Sequence, residues 1–296
     1  MNRQIIHLFR PKQWLKNIFV LMPLFFDRHA TELNYVLPSL LAFLTFCLAS
    51  SGIYCFNDIH DAEADRRHPV KRLRPVASGA VSETAAYAAM VTAWAAALLL
   101  TRLGCCFSSG AAKGLTATLL FYIIMNVAYC VRLKQIAILD VLVIATGFVL
   151  RLVAGGVATG IQLSHWIVLS TFLLALFLAM AKRRDDVVIY EASGVKARSN
   201  VERYNLDFLN QSVGILGCLS IVCYILYTVS ADVVERVGSN YLYATSVFVL
   251  AGILRYLQVT LVAQRSGSPT DVLLHDRFIH ACIAGWIMTF AVILYW

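Results

Sequence analysis

Residues 57–65 read Asn-Asp-Ile-His-Asp-Ala-Glu-Ala-Asp, and they continue without a break from an apolar run, Tyr35 to Phe56, that is long enough to cross a bilayer. Arg66, Arg67, Lys71, Arg72 and Arg74 follow at once, in a stretch that closes on Gly79. On a helix, Asn57, Asp61 and Asp65 fall at i, i+4 and i+8, and Asp58 sits three before Asp61, so the four share one broad face. Carboxylates crowded on one face repel each other unless a cation lies between them. Hard oxygen ligands with basic residues close behind suit a magnesium ion carrying a diphosphate, and Asn57, Asp58, Asp61 and Asp65 are the expected ligands. A merely solvated loop fits less well, because Asn57 and Asp58 adjoin the apolar run, where unpaired charge is costly.

Away from this cluster the chain is strongly apolar. Of its 296 residues, 59% are hydrophobic and 14% charged, against about a quarter charged in soluble domains. Nine apolar segments stand out, near 17–26 (short), 35–56, 83–103, 114–131, 138–158, 165–181, 212–231, 241–263 and 278–296. They are apolar all round and too numerous for one aqueous core, which excludes a soluble helical bundle. The expected fold is an all-α integral membrane protein, a single domain over residues 1–296 with nine transmembrane helices.

Orientation follows from Lys and Arg. With the N-terminus inside, 19 of the 25 fall in the N-terminal segment and the inner loops, and four on the opposite side. The expectation is therefore a multi-pass protein of the cytoplasmic (inner) membrane, with its active site on the cytoplasmic side and Trp296 on the outer side. This asymmetry accounts for the net charge of +8 and leaves no need for nucleic acid. No signal peptide is expected, because Pro11 interrupts the basic start and no small-residue cleavage site follows. The eight cysteines, including the adjacent Cys105 and Cys106, show no CxxC and no metal spacing, and read as small apolar residues.

Other charged positions carry two readings each. Residues 3–16 suggest an interfacial amphipathic helix; Arg10-Pro11-Lys12-Gln13-Trp14-Leu15-Lys16-Asn17 serves as a membrane-surface anchor, or one of its cations meets a phosphate. Lys71, Arg72 and Arg74 are either topological charge or phosphate ligands. Lys134 and Asp140 flank the start of the fifth span, and Arg151 lies eleven residues on, roughly 16 Å deeper. Arg151, like Arg255 in a later span, is functional or paired inside the bundle. Asn126 reads as an interhelix hydrogen-bonding residue, and Gly155-Gly156 as close helix packing. Lys182-Arg183-Arg184-Asp185-Asp186 ends the sixth span, where the arginines suit a second phosphate and an aspartate suits a hydroxyl.

With these residues in view, the chain resembles the UbiA superfamily of intramembrane prenyltransferases. Asn57-Asp58-Ile-His-Asp61-Ala-Glu-Ala-Asp65 is similar to that family's NDxxDxxxD motif. The likeness is narrower to the branch that transfers phosphoribose to a polyprenyl phosphate. It is carried by residues 10–17, by 57–79 with His68-Pro69, and by Leu139-Asp140 through Gly155-Gly156. Lys182-Arg183-Arg184, Arg203-Tyr204 to Phe208-Leu209, Gly267-Ser-Pro269 and Asp276-Arg277 extend it over nearly the whole chain. Where aromatic-acceptor members carry a second DxxxD motif, this chain has the basic run 182–184, which suits a donor with an additional phosphate.

The resemblance implies nine helices around a central lipid-accessible cavity, with magnesium at the acidic motif. It implies transfer of 5-phosphoribose from 5-phospho-α-D-ribose 1-diphosphate to decaprenyl phosphate or a similar polyprenyl phosphate. Diphosphate leaves, and the product is a lipid-linked pentose precursor for a cell-envelope glycan such as an arabinan. Asp58, Asp61 and Asp65 are the implied catalytic residues. Lys12, Lys16, Asn17, Lys71, Arg72, Arg74, Lys134, Asp140, Arg151, Lys182, Arg183 and Arg184 are the implied substrate-binding set. The expected partners are phosphoribosyl diphosphate, polyprenyl phosphate and membrane lipids, with a homo-oligomer left open. The alternatives are an aromatic prenyltransferase with a polyprenyl diphosphate donor, and a lipid-binding or transport protein with charged gates.

Overall fold

The computed structural model describes residues 3–27, 29, 31–67, 70–102, 108–194, 200–263 and 269–295. His68, Pro69, Cys105, Cys106, Gly267 and Trp296, named above, lie outside them. All regular elements among the described residues are helical. Helices α1 (Arg3–Phe9), α2 (Met22–Phe26), α3 (Leu33–His60), α4 (Ala62–Arg66), α5 (Glu83–Leu100), α6 (Ser109–Val131) and α7 (Leu139–Thr159) come first. Then follow α8 (His165–Ser193), α9 (Leu206–Val229), α10 (Ala231–Val237), α11 (Ser246–Leu261), α12 (Pro269–His275) and α13 (Arg277–Tyr295).

Eight of the described helices are long and apolar enough to cross a membrane: α3, α5 to α9, α11 and α13. The ninth expected segment, 17–26, departs from this pattern. It folds as the end of a 3₁₀ helix, Pro11–Leu21, followed by the five residues of α2. Pro11 and Pro23 lack the amide hydrogen an α-helix would use, and each sits at the start of its element, where that loss costs least. Pro11 also ends the expected amphipathic helix, which closes at Phe9.

The chain divides into two compact units, residues 1–133 with 150–162, and residues 134–149 with 163–296. In the first unit α3 packs on α5, α6 and the 3₁₀ helix. Phe46, Ala42 and Ala49 of α3 meet Leu115, Leu119 and Tyr122 of α6 and Ala154 of α7 in the core. A smaller apolar cluster ties Leu8 of α1 to Cys55, Ala62, Val76 and Met90. In the second unit α8 packs on α9, and α11 on α9 and α13, around Phe177, Leu209, Ile253 and Tyr256. Helix starts carry their own caps: Ser82 accepts from the Ala85 amide, and Asn205 from the Phe208 amide.

The 3₁₀ helix repeats every three residues, so Trp14, Asn17 and Val20 align on one face. That face lies against α3: Trp14 Nε1 donates to Ser51 Oγ at 3.0 Å, and Asn17 Nδ2 to Ser50 Oγ at 3.3 Å. Gly155 of α7 makes the approach possible, since a Cβ there would sit 1.9 Å from the Val20 carbonyl oxygen. Gly155→Ala should therefore lower the thermal unfolding midpoint of the detergent-solubilised protein, at a cost of about 1–3 kcal/mol from overpacking. Gly214→Ala is the control: open space surrounds Gly214 within α9, so alanine should leave the midpoint unchanged or raise it.

Candidate functional site

The acidic motif straddles a bend. Helix α3 ends at His60 and α4 begins at Ala62, while the i→i+4 bonds from Asp61 to Asn57 and from Asp65 to Asp61 carry the turn through. The bend separates the acids that the sequence places on one face. Asp58 and Asp65 are buried, Asn57 and Asp61 are half-buried, and Asp61 lies 3.0 Å from its neighbour His60. Asp58 and Asp65 converge on one cation instead. Arg74 Nη1 lies 2.7 Å from Asp65 Oδ2 and 3.4 Å from Asp58 Oδ1. A second guanidinium, from Arg10, donates to Asp58 Oδ1 through Nη2.

Arg10 reaches Asp58 from an unusual backbone. It joins α1 to the 3₁₀ helix at φ 50° and ψ 60°, left-handed for a non-glycine residue that precedes proline. Its guanidinium also lies 4.9 Å from the centre of the Tyr54 ring. The two arginines border a cleft of about 410 Å³, lined further by Gln4 and His7 of α1, Leu73, Pro75 and Asp58. That volume falls in the range of small-molecule sites.

Among the described residues, no three His, Cys, Asp or Glu side chains stand close enough to hold a metal ion together. Of the expected ligands Asn57, Asp58, Asp61 and Asp65, Asp58 and Asp65 meet at Arg74, while Asp61 lies beside His60. The chemistry of the donors nevertheless fits a hard dication. Two carboxylates already share one guanidinium nitrogen, and Asp58 Oδ2 is buried without a hydrogen-bond partner.

Deeper in the same unit, Arg151 is buried. Its Nε donates to Asn17 Oδ1 at 2.7 Å and its Nη2 to Tyr122 Oη at 2.8 Å, and the guanidinium sits 4.9 Å from the Tyr122 ring centre. Asn17 passes the contact on to Ser50. Asn17 and Arg151, both expected to meet substrate, here bind each other. Asn126, expected to bond between helices, instead donates to the Tyr122 carbonyl one turn back on its own helix.

The run 182–186 corrects the sequence reading more sharply. Helix α8 does not end there but continues to Ser193, and Arg183, Arg184 and Asp185 are buried within the second unit. Arg183 donates from Nε to Asp140 Oδ2 at 2.6 Å and from Nη1 to Asp186 Oδ2 at 3.1 Å. Arg184 donates to Asn210 Oδ1 and to the Thr260 carbonyl, each at 2.7 Å. Only 2% and 4% of their surface is exposed, and both are held by protein partners, with Arg183 Nη2 left without a hydrogen bond. Tyr204, which sequence spacing gave no reason to single out, completes the set. It donates to Asp140 Oδ1 at 2.9 Å and accepts from the Ile138 amide at 2.6 Å. Burial pushes the Tyr204 hydroxyl up to about 12, so it stays a neutral donor. Ile138 holds φ 69°, an uncommon conformation for a β-branched residue.

The remaining residues sort by exposure. Lys12 and Arg72 are exposed; Lys16, Lys71, Lys134 and Lys182 are half-buried. Arg255 is structural: it binds Asp276 Oδ2 at 2.9 Å, and Asp276 Oδ1 caps α13 through the Ile279 amide. The hydrogen bonds from Arg255 hold the Asp276 carboxyl below the usual range. Gln4 and His7 were not among the expected substrate ligands, and Arg10 entered only as one of the cations of 10–17 that could meet a phosphate; the amphipathic pattern that suggested a membrane anchor is the signal that would have placed them on one helix end.

The family model of the UbiA prenyltransferase family matches residues 28–279. The chain is 34% identical to the decaprenyl-phosphate phosphoribosyltransferase of Mycolicibacterium smegmatis, over 98% of this chain and 92% of that protein. It is also 34% identical to the protein of that name from Mycobacterium tuberculosis, over 96% of this chain and 92% of that one. Among solved structures, it superposes on a UbiA homolog from Archaeoglobus fulgidus bound to GPP and Mg2+, with a TM-score of 0.71 at 18% identity, covering 98% of this chain and 99% of that one.

The buried network of the second unit predicts a difference between arginines. Arg183→Ala leaves the buried Asp140 without its paired guanidinium and should destabilise the protein by about 3–5 kcal/mol. Arg72→Ala, on an exposed turn, should stay within about 0.5 kcal/mol. Unfolding of the two variants in one detergent compares them directly, and the reverse ranking would return Arg183 to ligand binding.

Proposed function

The chain is an integral membrane protein of the UbiA prenyltransferase family, and from that premise we propose that it transfers 5-phosphoribose from 5-phospho-α-D-ribose 1-diphosphate to a polyprenyl phosphate, decaprenyl phosphate or a similar one, releasing diphosphate. The observation that carries the reading is the pairing of two buried carboxylates, Asp58 and Asp65, with two guanidinia, Arg10 and Arg74, beside one cleft. The likeness to the mycobacterial phosphoribosyltransferases over nearly the full length supports the choice of donor and acceptor.

Asp58 and Asp65, joined by Asn57 and Asp61, would hold Mg2+, as the family motif implies. When bound, the ion supplies charge neutralisation for the leaving diphosphate. Arg74 and Arg10 place their N–H groups on the same phosphate oxygens, and Lys71 and Arg72, on the turn that carries Arg74, extend the cationic wall. The acceptor phosphate oxygen forms a bond to C1 of the ribose as the bond from C1 to the diphosphate oxygen breaks. The nucleophile is an anion at neutral pH, so no general base is required, and the electron pair leaves with the diphosphate. In-line attack inverts C1 to the β product. Catalysis rests on positioning and on charge stabilisation. The 5-phosphate falls to the exposed cations of the first unit, Arg72 with Lys12, since Arg183 and Arg184 are engaged elsewhere. The positive bias supports an orientation with the acidic motif on the cytoplasmic side of the inner membrane and the C-terminus opposite.

The test is an assay of purified protein with labelled phosphoribosyl diphosphate, polyprenyl phosphate and Mg2+, which should yield a labelled, organic-extractable lipid. No labelled lipid, together with prenylation of an aromatic acid from a polyprenyl diphosphate, would replace this reading by the aromatic one. In the same assay Asp58→Asn, Asp61→Asn and Asp65→Asn should each reduce kcat/KM by more than about 100-fold. Asp61→Asn should do so with an unfolding midpoint close to wild type, because its side chain is a quarter exposed. Membrane topology is checked by introducing cysteines at Arg72 and Ser230 in a cysteine-free background. Impermeant thiol reagent applied to intact cells should label position 230 and spare position 72.

A further inference from the structure

We propose that Arg10 and Arg74 are exchangeable counter-ions of the acidic motif: they hold Asp58 until a diphosphate arrives, transfer to its oxygens, and release the carboxylate to a divalent cation, so that metal and diphosphate bind together. This rests on the reading of the motif as a metal site given above. The Asp58 side chain is 0% exposed, whereas those of Arg10 and Arg74 are each 26% exposed. All three line the cleft, but the cations are open to solvent while the anion behind them is covered. Both arginines bind the same oxygen, Oδ1, and leave Oδ2 without a hydrogen bond. A divalent ion entering alone would join two guanidinia that already neutralise the two carboxylates it needs, leaving its own charge uncompensated in a site of low dielectric. A diphosphate brings several negative charges of its own and accepts from guanidinium forks. Once it takes the arginines, two carboxylates remain for the metal.

Local structure suits the transfer. Arg10 is kept left-handed ahead of Pro11, a sparsely populated conformation that persists here because the side chain is anchored on Asp58 and over Tyr54. The Tyr54 ring offers the guanidinium a face that survives loss of the carboxylate contact. Gln4 and His7 line the same cleft, so the oxygens that receive Arg10 have room beside it.

The exchange is read by Mn2+ electron paramagnetic resonance on the full-length protein in detergent, with and without inorganic diphosphate, after correction for the Mn2+–diphosphate complex free in solution. In the wild type, diphosphate should tighten Mn2+ binding, and by linkage Mn2+ should tighten diphosphate binding by the same factor. Arg10→Gln removes the competing cation and should tighten binding of Mn2+ alone by about tenfold, while the enhancement by diphosphate shrinks. Arg10→Lys restores the charge and should return Mn2+ affinity toward wild type. If Arg10→Gln folds poorly, Arg74→Gln reads the same exchange. Unchanged or weaker Mn2+ affinity in the glutamine variants, beside measurable binding in the wild type, would overturn the exchange alone. Absence of Mn2+ binding in the wild type even with diphosphate would overturn the metal reading of the motif, and the exchange with it.

Discussion

A carboxylate buried at the end of a membrane-spanning helix has to be matched by a cation, and in this protein Asp58 sets that requirement. Helix α3 runs for 28 residues and carries Asp58 in its last turn, where water no longer reaches the side chain. Two distant segments are shaped by the demand. The turn after α4 brings Arg74 back onto Asp58 and Asp65, and the chain before Pro11 adopts a left-handed residue to deliver Arg10. The 3₁₀ helix then fixes that approach, with Trp14 and Asn17 bonded to the serines of α3. The cleft beside Asp58 is the space left between these arms.

Two further buried arginines show the same physics without an obvious vacancy for substrate. Arg151 is satisfied by the neutral oxygens of Asn17 and Tyr122 and by an aromatic face. Arg183 sits between Asp140 and Asp186, with Tyr204 orienting Asp140 from the other side. Removing one partner of such a group leaves an uncompensated charge, so these residues are expected to fail in folding before they fail in chemistry. Asp58 differs, because its cations come from the edge of an open cleft and can be drawn away.

Much of this was legible in the sequence. The spans announce themselves by length and apolarity, and the acidic motif and Arg74 stand out by charge at the end of α3. Segment 17–26 is harder to read, because Pro11 and Pro23 each open a short element, and the 3₁₀ helix Pro11–Leu21 continues into α2 instead of forming one long α-helix. The protein partners of Arg183 and Arg184 were not legible, because charge in sequence does not reveal whether a partner lies 43 residues away, as Asp140 does. A basic run inside a long helix reads the same whether it faces a ligand or Asp140, Asn210 and a backbone carbonyl. Arg10 was visible as a surface anchor or a phosphate contact, but nothing local indicates that a left-handed turn folds it onto a residue 48 positions on.

The most direct measurement is an electron cryo-microscopy structure of the protein in nanodiscs with phosphoribosyl diphosphate and Mg2+. The account predicts diphosphate density within hydrogen-bonding distance of Arg10 and Arg74, with metal density on Asp58 and Asp65. Diphosphate bound away from the cleft, with Arg10 and Arg74 still seated on Asp58, would contradict it.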